Sequence, residues 1–304
     1  MTRLLVTGAA GAVGSAVSSH FLRADPTCVL VDRNFSPSQS ASSFVHCNFE
    51  SPLDVERLIN RYQPEIVLHL AGNKDVFALE KDPALAWRAN VATTKNLLGA
   101  LTGAKSLVIY ISTDYVFQGT AGPYEETSPT RPTTEYGKSK AAAEACLLDS
   151  GLPVAIARSA ALFGLTNDFV SVVRDCLAAG KSFPAFSDLV SNPTFVGDLT
   201  AMLTRLMDRR LTGVFHVCGS ESLSREQFAK MIAGAFGLDA ELIHAEKRTE
   251  RVRPPDLSLS NAATCVALRY RPRPLLEILK SIRAQQTQRP YPDPRTIHGS
   301  NARD

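Results

Sequence analysis

Short, continuous apolar segments alternate with segments of helical periodicity through the first half of the chain. The apolar segments predict buried strands at residues 4–7, 28–31, 66–70, 107–111 and 154–157. Apolar positions with helical spacing predict helices at residues 13–22, 55–62, 83–101 and 136–148. Apolar strands joined by helices indicate a parallel sheet covered on both faces. The pattern therefore predicts an α/β fold of the Rossmann type, with a doubly wound parallel sheet.

The regular alternation of strands and helices ends after about residue 164. Helices are predicted at residues 169–179, 198–208 and 275–284, and a short strand at residues 214–217. Ser224 and Gln227 form a capping box, which predicts another helix that runs to residue 236. These elements indicate a smaller C-terminal α/β subdomain.

The end of this alternation also sets the expected domain limits. Residues 1–165 form the Rossmann domain, and residues 190–218 return to it. Residues 166–189 and 219–284 form the smaller, substrate-binding subdomain. Residues 285–304 contain three prolines and few apolar side chains, so they predict a flexible tail.

Charge and cysteine content exclude several classes of partner. The 304-residue chain has a net charge of +3 and no dense basic run, so neither nucleic acid nor an anionic membrane is expected to bind. Its six cysteines form no Cys-x-x-Cys pair, so no metal site is predicted. No segment approaches the roughly 20 apolar residues that span a bilayer, and the first apolar run is too short for a signal peptide. We therefore expect a cytoplasmic protein.

A glycine turn follows the first predicted strand. Gly8, Gly11 and Gly14 are spaced by three residues between that strand and the next helix. The first glycine permits a tight bend, and the second lets the backbone approach a pyrophosphate at the helix N-terminus. The third lets the helix pack closely on the strand. The turn in this context predicts a dinucleotide site.

Two adjacent residues bear on which dinucleotide binds. Asp32 ends the second predicted strand, where a carboxylate accepts hydrogen bonds from the adenosine ribose hydroxyls of NAD(H). Arg33 comes next and can pair with the 2′-phosphate of NADP(H). The sequence leaves both cofactors open and favours NAD(H).

Tyr136 and Lys140 are separated by one helical turn, so both lie on one helix face. A nearby ammonium stabilises a phenolate, so we expect Lys140 to lower the pKa of Tyr136. Tyr136 can then exchange a proton with a substrate oxygen, and Lys140 can hold the nicotinamide ribose. Thr113 follows the predicted strand at residues 107–111, at the carboxyl edge of the sheet where such folds bind ligands.

At this point the chain resembles the extended short-chain dehydrogenase/reductase superfamily, most closely its dTDP-4-dehydrorhamnose reductase branch. The resemblance extends from Leu4 to about Arg283. Its most specific segments are S-T-D-Y-V-F-Q-G from Ser112, P-Y-E-E-T-S-P-T-R-P from Pro123, and Y-G-K-S-K-A-A-A-E from Tyr136.

The resemblance implies an NAD(P)-dependent oxidoreductase that reduces a nucleotide-linked 4-keto-6-deoxy sugar. It implies catalytic Thr113, Tyr136 and Lys140, and substrate contacts from Thr113 and Asp114. The expected cofactor-binding set comprises Gly8, Gly11, Ala12, Val13, Gly14, Asp32, Arg33, Asn48, Phe49, Ala71, Gly72, Asn73, Tyr136 and Lys140. The family also implies a homodimer through the helices around Trp87 and Ala141.

Arginine chemistry adds one further substrate-binding candidate. Arg251 and Arg253 lie in a predicted loop, and a guanidinium matches a phosphate with two donors. We therefore expect Arg253 to reach the diphosphate of the nucleotide sugar.

Several positions bear on the reaction. Tyr115 stands where the related 4,6-dehydratases have glutamate, so elimination of water is not expected. The segment G-N-K-D-V from Gly72 resembles epimerases, which leaves an NAD-dependent nucleotide-sugar epimerase open. Ala161 replaces the tryptophan of the branch, and Leu189 and Ser191 also depart from its pattern. A non-catalytic regulatory subunit, resembling that of methionine adenosyltransferase, therefore stays open as a third hypothesis.

Overall fold

A computed structural model describes residues 3–35, 43–249 and 252–288 of the chain. Apolar, largely buried segments form its strands. In chain order the strands are β1 (Leu4–Thr7), β2 (Val29–Asp32), β3 (Phe44–His46), β4 (Ile66–His69), β5 (Leu107–Thr113), β6 (Val154–Ser159), β7 (Leu162–Phe163), β8 (Phe183–Phe186), β9 (Val190–Ser191), β10 (Thr194–Phe195), β11 (Gly213–His216), β12 (Leu223–Ser224) and β13 (Ile243–Glu246).

Helices connect most of these strands. They are α1 (Ala12–Ala24), α2 (Pro52–Tyr62), α3 (Val76–Lys81), α4 (Pro83–Ala86), α5 (Thr93–Ala100), α6 (Glu135–Leu148), α7 (Phe169–Ala178), α8 (Val196–Asp208), α9 (Arg225–Phe236), α10 (Ala262–Leu268) and α11 (Leu275–Gln288). The predicted capping box is present, because Ser224 accepts the N–H of Gln227 and the Gln227 side chain accepts the N–H of Ser224. It starts α9.

Seven strands form one sheet in the order β11-β6-β5-β4-β1-β2-β3, and all neighbours are parallel. Helices α1 and α8 pack on one face around Val17 and Leu203. Helices α2, α5 and α6 pack on the other face around Leu58, Leu97 and Leu147. The predicted Rossmann-type, doubly wound parallel sheet is therefore confirmed.

A separate apolar core lies beyond the large sheet. It joins α7, α9 and α11 with β8 and β13, and Phe228 and Ile232 of α9 are buried at its centre. Strand β11 lies outside this core, because it pairs with β6 at the edge of the large sheet. The chain thus leaves the large sheet after β6 and returns to it at β11.

The structure differs from the sequence-based prediction in several elements. The predicted helix at residues 83–101 contains a π-helical turn at Trp87–Ala92. Strand β3, helices α3 and α10 and the two-residue strands were not predicted, because such short elements depend on tertiary pairing and carry little periodicity of their own. Helix α11 runs past the expected end at residue 284, and the predicted tail from residue 289 onward lies outside the described residues.

Candidate active site

Two adjoining cavities lie at the carboxyl edge of the large sheet. The first, which we call the Tyr136 cavity, has a volume of about 430 Å³ and is lined by Thr113, Tyr136 and Lys140. The second, which we call the Asp32 cavity, has a volume of about 280 Å³. Gly8, Gly11, Gly72, Asn73 and Lys74 line both cavities, so the two adjoin along the glycine turn and the end of β4.

Thr113 ends β5 and lies at the floor of the Tyr136 cavity. Its Oγ1 donates to Asp114 Oδ1 at 3.0 Å and accepts the backbone N–H of Tyr115 at 3.2 Å. The Ser191 hydroxyl donates to the other Asp114 oxygen at 2.9 Å. Burial raises the pKa of Asp114 to about 6, although the bonds from Ser191 and Thr113 and the charge of Arg225 act in the opposite direction.

Tyr136 lies in the first turn of α6, which Thr134 caps by accepting the Gly137 N–H at 2.9 Å. Gly137 packs so closely on the Tyr115 carbonyl oxygen that a Cβ at this position would collide with it. This close approach brings Tyr136 to the end of β5, where Tyr136 and Thr113 line the same cavity. Burial raises the pKa of Tyr136 above its ordinary value, and the neighbouring Thr113 hydroxyl acts against the rise.

Lys140 is buried one turn further along α6. Its ammonium donates to the Ile111 carbonyl oxygen at 2.7 Å and lies 3.9 Å from the centroid of the Tyr110 ring. Burial lowers the pKa of Lys140 to about 7, and the charge of Glu144 partly offsets the change. The lowered Tyr136 pKa that was expected beside Lys140 is not found in this geometry, because burial and the charges of Asp114 and Tyr115 all raise that pKa.

The residues expected to bind the cofactor all line one of the two cavities or both. The Tyr136 cavity contains Ala12, Val13 and Gly14, and the Asp32 cavity contains Asp32, Arg33, Asn48, Phe49 and Ala71. A Cβ at Gly14 would collide with the Gly8 carbonyl oxygen, so this glycine is needed for packing. Gly11 faces the cavities and leaves room for a pyrophosphate at the N-terminus of α1. The turn fits a dinucleotide.

Asp32 is held rigidly at the rim of its cavity. Its two carboxylate oxygens accept the backbone N–H of Ala10 at 3.0 Å and that of Asn34 at 2.8 Å. The Arg33 side chain is 65% exposed and pairs with Glu50 at 3.3 Å. Asp32 is therefore fixed by the backbone, whereas Arg33 is held only by a solvent-exposed ion pair.

Asn90 is a buried residue that the sequence analysis did not identify. It lies in the π-helical turn, and its Oδ1 accepts the Asn73 N–H at 2.8 Å. Its Nδ2 donates to the Asn73 carbonyl at 3.0 Å and to Ser139 of α6 at 2.9 Å. Asn90 therefore ties the cavity-lining segment after β4 to the helix that carries Tyr136. π-Helical turns are frequent at such functional sites.

Two arginines line the far side of the Tyr136 cavity. The Arg253 guanidinium lies 5.5 Å from the Phe77 ring centroid and 5.2 Å from that of Phe186. Arg225, which the sequence analysis missed, lies 4.9 Å from the Phe169 ring centroid. Burial lowers the pKa of Arg225, and the nearby charges of Tyr115 and Asp114 oppose the change. A cation in the first turn of a helix interacts unfavourably with the helix dipole. The position of Arg225 at the start of a predicted helix was therefore the signal in the sequence that could have identified it.

The wall near Ala161 remains apolar despite the missing tryptophan. Ala160, Leu162 and Leu165 line the cavity there, and Ala161 has a φ of 37°, in the left-handed region.

Arg251, the other arginine considered for this site, lies outside the described residues. Among the described residues, no cluster of three or more His, Cys, Asp or Glu side chains is arranged to hold a metal ion, and no helix has the length and apolar character to cross a membrane.

Comparison with known proteins bears on the family. Residues 1–282 match the family described as the RmlD substrate binding domain. The chain is 30% identical over 246 residues to methionine adenosyltransferase 2 subunit beta of Xenopus tropicalis, a match that covers 78% of this chain and 72% of that protein. It is 28% identical over 268 residues to dTDP-4-dehydrorhamnose reductase of Mycobacterium tuberculosis, with 86% and 84% covered.

A solved structure gives the same result for the fold. The dTDP-4-dehydrorhamnose reductase of Clostridium acetobutylicum superposes with a TM-score of 0.82 at 25% identity, and the match covers 94% of this chain and 100% of that one. The resemblance found in the sequence is thus confirmed over almost the whole described structure. The chain belongs to the RmlD substrate binding domain family, within the extended short-chain dehydrogenase/reductase superfamily.

Proposed function

We propose that this protein is an NAD(P)H-dependent reductase of a nucleotide-linked keto-deoxysugar, with Tyr136 as the proton donor. The observation that carries the proposal is the convergence of Thr113, Tyr136 and Lys140 in one cavity beside a glycine turn that fits a dinucleotide. The likeness to dTDP-4-dehydrorhamnose reductases supports the substrate class.

The cofactor would occupy both cavities, with the pyrophosphate at Gly11, Ala12 and Val13 and the adenosine between Asp32 and Asn48. When bound, the reduced nicotinamide supplies the hydride that the substrate carbonyl carbon accepts. Tyr136 donates its hydroxyl proton to the carbonyl oxygen. Burial raises the pKa of Tyr136, so at neutral pH the side chain is a phenol that carries the proton to be donated.

Substrate binding would use the other half of the Tyr136 cavity. Asp114 and Ser191 offer polar groups to sugar hydroxyls near Thr113. Arg253 and Arg225 place two guanidinium groups in the same cavity, which suits a doubly charged diphosphate.

The decisive experiment follows NADH and NADPH oxidation with a panel of dTDP- and UDP-linked 4-keto-6-deoxy sugars. Replacement of Tyr136 by Phe should lower turnover by a factor of at least about 100, because general acid catalysis is lost. Cofactor binding, measured by fluorescence titration, should persist. Tyr62→Phe, at a half-buried position that ends α2 and lies outside both cavities, is the matched control. Full turnover by Tyr136→Phe would refute the role of Tyr136, and no turnover by the wild type would refute the reductase.

The same assay distinguishes the epimerase hypothesis from the reductase hypothesis. An epimerase oxidises and re-reduces its substrate with one tightly held NAD, so the sugar would isomerise with no net consumption of NADH.

The similarity to methionine adenosyltransferase 2 subunit beta supports a second candidate, a non-catalytic regulatory subunit. This candidate predicts no turnover across the sugar panel. It also predicts a stoichiometric complex when the chain is mixed with a methionine adenosyltransferase catalytic subunit and analysed by size-exclusion chromatography. A homodimer and a cytoplasmic location stay predictions from the sequence.

A further inference from the structure

His69 is a fully buried histidine that forms hydrogen bonds on both sides of its ring. It ends β4, and its Nδ1 lies 2.8 Å from the hydroxyl oxygen of Thr7 at the end of β1. Its Nε2 lies 3.2 Å from the hydroxyl oxygen of Thr94 in α5. The ring thus connects the strand that leads into the glycine turn with a helix that covers one face of the sheet.

The Thr7 hydroxyl has only one way left to bond to His69. Its oxygen already accepts the backbone N–H groups of Leu70 and Ala71, both at 3.1 Å. A hydroxyl group has two acceptor lone pairs and one hydrogen. Because both lone pairs are occupied, the Thr7 hydroxyl donates its hydrogen to Nδ1. This nitrogen is therefore an acceptor and carries no hydrogen of its own.

The Thr94 hydroxyl independently requires the same form of the ring. Its hydrogen is donated to the Asn90 carbonyl oxygen at 2.7 Å, because a carbonyl oxygen can only accept. The Thr94 oxygen can then only accept from His69, so Nε2 carries the hydrogen. A second proton on Nδ1 would face the Thr7 oxygen, whose lone pairs are occupied. The geometry therefore holds His69 as the neutral Nε2–H tautomer.

Asn90 extends this chain of hydrogen bonds to the helix that carries Tyr136. The Asn90 side chain donates to the Ser139 hydroxyl at 2.9 Å, and that hydroxyl donates to the Tyr136 carbonyl oxygen at 2.8 Å. In order, the chain runs through Thr7, His69, Thr94, Asn90, Ser139 and Tyr136. It therefore joins the start of the glycine turn to the first turn of α6.

We propose that His69 is a positioning residue that, as the neutral Nε2–H imidazole, fixes the glycine turn and the segment after β4 to the π-helical turn and so to the helix of Tyr136. Thr7, His69 and Thr94 belong to the described part of the chain and line neither cavity, so they act only through the residues that they hold. Walls that are ordered in advance lower the entropic cost of binding a ligand. The proposal rests on the proposed function only in assigning the two cavities to a dinucleotide.

Long-range nitrogen–proton correlation spectra of the imidazole rings test the tautomer in the protein alone. His69 can be assigned through its own backbone amide, so no variant is needed. At neutral pH its ring should carry a hydrogen on Nε2 and none on Nδ1, because Thr7 donates to Nδ1 and Thr94 accepts from Nε2. An Nδ1–H tautomer, or a ring with hydrogens on both nitrogens, would overturn the proposal.

Fluorescence titration with NADH and NADPH tests the positioning role. Thr94→Val keeps the shape of the side chain but removes its bonds to His69 and Asn90. The dissociation constant should rise by about fivefold, because binding must then order the released segments. Thr94→Ser retains the hydroxyl and should restore the affinity. An affinity that Thr94→Val leaves unchanged would refute the positioning role.

Thr200→Val in α8 is the matched control for Thr94→Val. Both threonines are buried, and both hydroxyls donate at 2.7 Å to the carbonyl oxygen four residues earlier. Thr200 lines neither cavity, so this variant should lose a similar amount of stability in denaturant unfolding and keep its affinity for the dinucleotide. An equal loss of affinity in the two variants would mean that the effect is one of general stability, and would contradict the role of His69.

A double-mutant cycle with Thr7→Val and Thr94→Val tests whether the effect passes through the ring. Each threonine bonds to His69 from its own side, so release of one side already frees the ring. The rise in dissociation constant for the double variant should therefore be smaller than the product of the two single rises. A rise equal to that product would contradict transmission through His69. Absence of binding by the wild type would refute the dinucleotide site of the proposed function, whereas binding that neither substitution alters refutes only the role of His69.

Discussion

The Lys140 ammonium lies 2.7 Å from the Ile111 carbonyl oxygen, so the lysine of the active-site helix is held against the strand that ends at Thr113. The contact gives a buried ammonium group a hydrogen-bond acceptor. Burial lowers the pKa of Lys140, and this shift makes its charge a source of pH-dependent stability.

Lys140 should make the protein more stable as the pH rises above 7. Its pKa is lowered to about 7 in the folded protein, from about 10.4 in an unfolded chain. Between these values the unfolded chain binds more protons, so the free energy of unfolding increases with pH, by at most about 1.4 kcal/mol per unit. Urea unfolding of the wild type and Lys140→Met at several pH values measures the difference.

The wild type and Lys140→Met share their other titratable groups, so the contributions of those groups to the pH dependence of stability cancel in the comparison. Burial raises the pKa of Cys28 to about 12 and that of Cys47 to about 11, and both thiols lower the stability as the pH rises. They do so equally in the two proteins. Parallel stability curves for the wild type and Lys140→Met would show that Lys140 is not the group responsible.

Removal of one partner of the buried ion pair between Arg158 and Glu144 should destabilise the protein strongly. Arg158 of β6 donates to Glu144 of α6 at 2.7 Å, and both side chains are buried. Arg158→Met leaves the Glu144 charge buried without this partner, which should lower the free energy of unfolding by about 3–5 kcal/mol. Lys230→Met breaks the exposed pair with Glu226 and should cost less than about 1 kcal/mol. Similar losses in denaturant unfolding would contradict this account.

Asp32 should make the protein prefer NADH over NADPH. The carboxylate is fixed by two backbone N–H groups at the rim of the Asp32 cavity, where it would repel a 2′-phosphate. Asp32→Asn keeps an acceptor oxygen and removes the charge, so the ratio of KM for NADPH to KM for NADH should fall by about tenfold or more. Glu50→Gln, which releases Arg33, serves as the companion variant. A wild type that prefers NADPH would overturn the expectation.

Trp87 should contribute to a homodimer. The side chain is 45% exposed on the helical segment where the resemblance implies a homodimer interface, and burial of a large aromatic side chain between subunits would stabilise association. Light scattering at micromolar concentration should give a dimer for the wild type and a lower mass for Trp87→Glu. Val266→Glu, at a 75% exposed position on α10, should leave the dimer intact. A monomeric wild type would remove the prediction.

The sequence by itself determined the doubly wound sheet and most residues of the candidate site. Continuous apolar runs such as residues 66–68 of β4 and the spacing of Gly8, Gly11 and Gly14 are local signals, because burial on both faces and a tight turn act on consecutive residues. The one-turn spacing of Tyr136 and Lys140 is local in the same way. Each of these features could be identified without knowing what packs against it.

Only the tertiary structure decided the electrostatics of the site. The pKa of Tyr136 depends on how deeply α6 packs on β5, and the partners of Asp114 and Asn90 lie far away in the chain, at Ser191 and Asn73. Desolvation and long-range hydrogen bonds arise from packing and leave no periodic trace in a sequence. For this reason the sequence placed Tyr136 beside Lys140 but assigned the wrong direction to its pKa.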